Sequence, residues 1–532
     1  METHMDQLLA LIDSPELSAP LEGREAEAAA EALGRLACGR VYPRSIVARG
    51  GVLYFLARVE GGERRLGLLS RTQAGPGLGF TGIAQRVSLG GADLTLQLSL
   101  PEHGNAVALR RTLPFAAPRT LGLAKVAGCG DRLGLATPGH VRAVRGTGLA
   151  PIFAQQSIRE MARTERTPEQ VLDDATWGVF QEGWREGYGA DADHLKTTED
   201  VDLCVRAGYT FYTIDPGDHV DNDAETADAS GLAARLEALP WHLLESSPAD
   251  LRRTYVGRPA DLGEGLQLTL SEEAFLRAAA KYGRAIAHTV TLYRHLRQRM
   301  GSQPFELEMS VDETAVPTKI AEHYFVASEL RRLGVQWVSL APRYSGRFEK
   351  GSDYIGDLAV FEAEIAQHAT IARHLGPYKL SLHSGSDKFS IYPLINRYAG
   401  NLVHLKTAGT SYLEALRTVA RVEPGLFREI LAFARDHYEA DRATYHVSAD
   451  LARVADPAQL ADSQLPGVLD DFHTRQALHV TFGSVLTART ATGEHRFRTR
   501  LYAALAAHEE AYYAALEAHF QRHLEPFAKR GN

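Results

Sequence analysis

The run YKLSLHSGSDKFSIYP, residues 378–393, ends a short apolar stretch with a histidine, small residues and an adjacent acid and base. Seven further runs share that form: LAPIFAQQS, ADADHLKT, YTFYTIDPGDH, FELEMSVDE, VQWVSLAPRYS, NLVHLKTAGTS and, less regularly, ALHVTFGS. Their ends, in order, collect Gln155, Gln156, Asp193, His194, Lys196, Asp215, His219, Glu306, Glu308, Arg343, His383, His404 and Lys406. Imidazoles and carboxylates brought together can hold zinc, manganese, nickel, iron or cobalt and leave a position for a substrate oxygen. In a chain with 21 histidines, a single one at a strand end is more often hydrogen-bonded than metal-bound. The case for His194, His383 and His404 therefore rests on their convergence, since no HExxH or EF-hand spacing occurs.

Other candidates carry competing readings. Glu306 and Glu308 alternate along one strand and face one side, which cannot be apolar core without partners; an internal ion pair accounts for one of them. Asp193 points away from His194 on a regular strand, unless the strand ends there. In HLKTAGTSYLEALR, the amides of Thr407 to Ser411 open a helix N-terminus that favours an anion, and Lys406 adds charge. Arg343, Arg347 and Lys350 lie in a long loop whose default reading is a charged surface. His219 reads as structural within a turn-rich loop, and Asp387 with Lys388 as a local ion pair.

To position such a set, the strands must end at one place. The runs alternate with helical patterns such as PEQVLDDATWGVFQEGW and AEHYFVASELRRLG. Strand, polar end, helix, repeated about eight times, predicts an α/β fold of the (β/α)8 TIM-barrel type. No GxGxxG turn supports a doubly wound sheet. The barrel is expected at 148–490, with a helical insertion near 224–300 that contains EEAFLRAAAKYGRAIAHTVTLYRHLRQRM. Residues 1–147 read as a helix plus a β-rich antiparallel module, and 491–532 as a C-terminal helix.

The 532 residues are 45% hydrophobic and 23% charged, with a net charge of -8, which argues against a nucleic-acid partner. The three cysteines, Cys38, Cys129 and Cys204, form no CxxC pair, which fits a reducing cytoplasm. No run is apolar enough for a membrane span.

RYSGRFEKGSDYIGD, LSLHSGSDKFSIYP and LVHLKTAGTSYLEALR resemble signatures of the tagaturonate/fructuronate epimerases, the hexuronate C4-epimerases. The resemblance covers about 150–490 and the preceding β module, and implies a metal-dependent barrel enzyme that interconverts D-tagaturonate and D-fructuronate, with a sugar or sugar acid as its partner. It would place the divalent metal on His194, His383 and His404 and the acid/base pair on Asp193 and Glu308. Substrate contacts are expected from Gln156, Lys196, Arg343, Ser384, Lys406, Thr407 and Gly409. Homo-oligomerisation and the metal's identity stay open.

The chemistry is consistent with that set. Numbered from the ketone end, the two sugars differ at C4, which is β to the C2 ketone, so removing the C3 proton cannot invert it. Retro-aldol cleavage of C3–C4, rotation of the aldehyde and re-addition can, given a Lewis acid and acid/base groups. A ketohexose 4-epimerase acting on fructose and tagatose would use the same site. An imine-forming aldolase working through Lys406 or Lys196, or a non-catalytic sugar-binding protein, are the rival classes.

Overall fold

Eight parallel strands close into a barrel in the computed structural model, which describes residues 2–13, 16–72, 75–383, 387–407 and 409–528. In chain order they are β1 (Val126–Cys129), β2 (Ala150–Ser157), β3 (Gly189–Leu195) and β4 (Phe211–Ile214). There follow β5 (Glu306–Ser310), β6 (Ser339–Ala341), β7 (Lys379–His383) and β8 (Val403–Thr407). The ring closes where β8 pairs with β1, His404 opposite Val126 and Thr407 opposite Cys129.

Two sequence expectations are corrected here. The barrel opens at Val126, upstream of residue 148, because VAGC is a four-residue buried strand too short to show an apolar run with a polar end. ALHVTFGS is not a strand: it lies in the helices Phe472–Val480 and Phe482–Thr487. Its buried Leu478 and Phe482, with Val485 and Leu486 just beyond it, recur at helical spacing.

Strand-to-helix transitions are set by capping side chains. Ser157 ends β2 and caps Ile158–Thr164, with Glu160 returning the bond to the Ser157 amide. Thr197 and Asp200 form the same reciprocal box on Thr198–Ala207 after β3. The insertion carries three short helices and a small hairpin before the 29-residue helix Glu272–Met300, whose Phe275, Tyr282, Ile286 and Val290 are buried.

The floor of the barrel explains Glu306. Its carboxylate accepts from the Leu121 amide at 3.0 Å and from the Gly122 amide, while Lys379 Nζ donates to the Gly122 carbonyl at 2.7 Å. This plugs the end opposite the candidate site. Glu306→Gln keeps an acceptor for both amides, so it should cost about 1 kcal/mol of stability and leave turnover unchanged. Chemical denaturation and steady-state kinetics check this.

The N-terminal module is an antiparallel sheet whose central strand, Val52–Val59, alternates between two cores. Leu53, Phe55 and Ala57 meet the module's own helices through Leu33 and Ile12. Tyr54 and Leu56 join Trp177 and Phe180 of the barrel helix Pro168–Gln181. The C-terminal helix Glu509–Leu524 locks the arrangement: Glu509 pairs with Arg40 and Arg58 and accepts from the Tyr42 hydroxyl at 2.9 Å. That helix also lies tight on Thr137–Val144, where a Cβ at Gly139 would stand 2.7 Å from Leu516 Cβ. Among the described residues, no helix is long and apolar enough to cross a membrane.

Candidate active site

Axis-facing positions of such barrels are mostly filled by branched apolar side chains. Here β3, β4, β5, β7 and β8 place Asp191, Asp193, Thr213, Glu308, His383, His404 and Lys406 there, in mutual contact. A charged interior of this kind is costly unless every group is paired.

Lys406 is the hub. Its Nζ stands 2.8 Å from Asp191 Oδ2, 2.7 Å from Asp193 Oδ1 and 2.9 Å from Glu308 Oε1, and donates to Thr213 Oγ1 at 2.6 Å. Burial opposes its charge, but the three carboxylates outweigh burial and hold Lys406 well above the usual lysine range. Glu308 is the counterpart. Its Oε1 lies 2.7 Å from His383 Nε2 and its Oε2 2.9 Å from His404 Nδ1. Although burial works against it, the charges of Lys406 and the two imidazoles keep Glu308 well below the carboxylate range. Burial pushes Asp191 up to about 6 against the pull of Lys406.

Asp193 and His194 reach one cavity through a backbone device. Between Tyr212 and Ile214 the pairing of β3 with β4 slips: Ala192 pairs with Tyr212, but Leu195 with Ile214. The extra residue on β3 is accommodated by His194 in the left-handed region, φ 55°. Such a bulge turns a side chain that regular alternation would send outward, and a non-glycine residue held there costs about 1–3 kcal/mol. His194 Nδ1 thereby comes 2.9 Å from Asp193 Oδ1.

Asp312, two residues past β5, stands between the histidines, 3.2 Å from His383 Nδ1 and 3.6 Å from His194 Nε2. Burial lowers both imidazoles, but the neighbouring carboxylates prevail: His194 is raised well above its ordinary value and His383 to about 9. The pocket thus favours positive charge at this place. Asp193, His194 and His383 bring one donor atom each within 4.8 Å of one another. Among the described residues, neither buried His194 ring nitrogen makes a well-aligned hydrogen bond. This donor set fits a divalent cation. His404 does not join it: its Nδ1 is turned to Glu308, its ring packs edge-on against Phe211 at 5.1 Å, and burial lowers it to about 4.

The cavity above is lined by Asp193, His194, His383 and Lys406 with Gln155, Ser157, Arg132, Arg159, Asp312, Glu313, Lys350, Tyr445 and His479. Arg343 borders an adjoining cavity that shares Asp312, Lys350 and His383. Glu308 is on neither wall; it lies beneath them, fully buried. Of the two glutamines, Gln155 pairs in register with Asp191 and shares its face, so Gln156, opposite Ala192, points the other way. Gly128 makes room for Gln155, whose Oε1 stands 1.7 Å from where a Cβ would be.

The remaining expectations fall away from the cavity. Lys196 reaches Asp218 at 2.9 Å on the outside, and His219 stacks on His288 at 4.0 Å. Thr407 donates to the Gly128 carbonyl at 2.8 Å. Gly409 admits His479, whose Cε1 stands 2.0 Å from a Cβ there. Ser384 lies outside the described residues. The expected Asp387–Lys388 ion pair is absent: Lys388 Nζ donates to the carbonyls of Glu349 and Asp387, both at 3.0 Å, and of Ser352 at 2.5 Å. The Asp387 side chain turns to Arg475 instead.

A family model described as tagaturonate epimerase matches residues 42–527. A tagaturonate/fructuronate epimerase of Thermotoga maritima is 44% identical over 486 residues, 91% of this chain and 96% of that protein. The native crystal structure of fructuronate-tagaturonate epimerase from Cohnella laeviribosi superposes with a TM-score of 0.86 at 38% identity, over 95% of this chain and 99% of that one. Its two-glycerol complex gives 0.87 at 38% identity, over 94% and 100%.

Proposed function

The chain belongs to the tagaturonate epimerase family, and on that footing we propose that it interconverts D-tagaturonate and D-fructuronate by cleaving and re-forming C3–C4 with the help of a divalent metal. The carrying observation is the bulge at His194, which brings Asp193 and His194 to the same cavity as His383 and Lys406.

His194 and His383, with Asp193 beside them, would hold the metal. When bound it supplies Lewis acidity toward the sugar's ketone side. Asp193, kept below the ordinary carboxylate range by His194 and Lys406 despite burial, takes the C4 hydroxyl proton. The electron pair of that O–H bond becomes the C4 aldehyde, and the C3–C4 pair passes to C3 and delocalises over C2. Rotation presents the other aldehyde face, and re-addition returns the proton to the C4 oxygen. Asp312 and Glu313 share that wall and are placed to assist. Glu308 never touches substrate in this scheme; it holds His383, His404 and Lys406 in place. Arg159 and Lys350 on the wall, with Arg343 next door, suit a sugar carboxylate.

Lys406 is poorly suited to the imine-forming alternative, because a Schiff-base lysine needs a lowered pKa and this one is raised. Chelation should abolish turnover, and single ions should restore it with tighter loading as pH rises, since protons on His383 and His194 must leave. Assaying tagaturonate, fructuronate, tagatose and fructose by chromatography reads both the metal and the substrate. Full activity after chelation, or no interconversion with any ion, would overturn the proposal.

A further inference from the structure

A second histidine–carboxylate cluster lies apart from the cavity. His519 and His523 are one turn apart on the helix Glu509–Leu524, and both face Asp387, four residues beyond His383. His519 Nε2 and His523 Nε2 are 3.1 Å apart, and they stand 3.2 Å and 3.1 Å from the same oxygen, Asp387 Oδ1. Both imidazoles are buried.

Hydrogen bonds alone do not satisfy this triangle. If both Nε2 atoms carry protons, two N–H groups confront each other; if only one does, its single proton serves one edge and the other Nε2 meets the Asp387 oxygen lone pair to lone pair. A cation among the three satisfies every edge at once. Tetrahedral zinc, with ligands at about 2.0 Å, sets its donors about 3.3 Å apart, close to the three observed separations. The outer contacts also fit. His523 Nδ1 is 2.9 Å from the Tyr392 hydroxyl, and His519 Nδ1 is 3.6 Å from Glu414 Oε1, a buried oxygen with no hydrogen-bond partner among the described residues. Ligating histidines are commonly oriented through their second nitrogen in this way. Arg475 takes the other Asp387 oxygen at 2.8 Å and leaves Oδ1 facing the imidazoles.

We propose that Asp387, His519 and His523 form a second divalent-cation site, of the zinc type, that fastens the C-terminal helix to the segment following β7. The site is structural and independent of the catalytic proposal: it tethers the chain just beyond His383 to the helix whose Glu509 anchors the N-terminal module.

The test is metal content of the full-length protein, loaded with zinc, freed of excess and measured by plasma mass spectrometry. His519→Gln should carry one equivalent fewer than wild type while keeping its circular dichroism spectrum. A folded variant with an undiminished zinc count overturns the proposal. Should the variant not fold, wild-type crystals grown with zinc decide the matter by anomalous scattering on either side of the zinc edge. A peak bounded by Asp387, His519 and His523 supports the site, and none there overturns it.

Discussion

Asp193→Asn is expected to lower kcat by about 10²–10⁴-fold, the range lost with a general acid/base group, while the chain stays folded. The substitution keeps the size of the side chain and leaves an oxygen for the Lys406 ammonium 2.7 Å away, so packing is preserved. On the proposed mechanism it removes the charge that would take the C4 hydroxyl proton and, 2.9 Å from His194 Nδ1, would draw a cation there. Metal content and kcat separate the two roles: metal retained with kcat lost marks the proton role. A kcat within a few-fold of wild type would remove Asp193 from the chemistry.

Glu308→Gln should have the larger effect on stability. The carboxylate is fully buried and is shared by Lys406, His383 and His404. Removing one member of such a buried set leaves the others uncompensated, at a cost of about 3–5 kcal/mol. Turnover should fall as well, because His383 and Lys406 lose the group that orients them. The contrast with Glu306→Gln, two residues earlier on β5, is the informative part. Denaturant unfolding of the pair should show a large loss for Glu308 and a small one for Glu306. Equal losses would contradict the separation of barrel floor from active-site hub.

Much of this was legible in the residues. Asp193, His194, His383 and Lys406 stand at strand ends, where a parallel barrel gathers side chains regardless of local detail. What periodicity could not show was local geometry. A single left-handed residue at His194 reverses the expected direction of its side chain, and no alternation rule foresees a bulge. Short strands are equally silent: VAGC gives no sign of being β1, and so none that Arg132, just beyond it, borders the cavity. Asp312 and Glu313 are the polar end of the run FELEMSVDE, just past β5, where the glutamates inside the strand draw the attention instead. Tyr445 and His479 come from a distant helical region whose pattern carries no mark of the site. His404 shows the converse: it lies near the start of β8 rather than at its end, and its ring faces Glu308 rather than the other two histidines.

The most direct test of C3–C4 cleavage is the heavy-atom isotope effect, measured by competition with substrate carrying ¹³C at C3 or at C4. Bond cleavage in the rate-determining region predicts a normal ¹³C effect at both carbons and no primary deuterium effect from C4–D. A primary deuterium effect at C4 with no ¹³C effect at C3 would contradict it and place the chemistry at the C4–H bond instead.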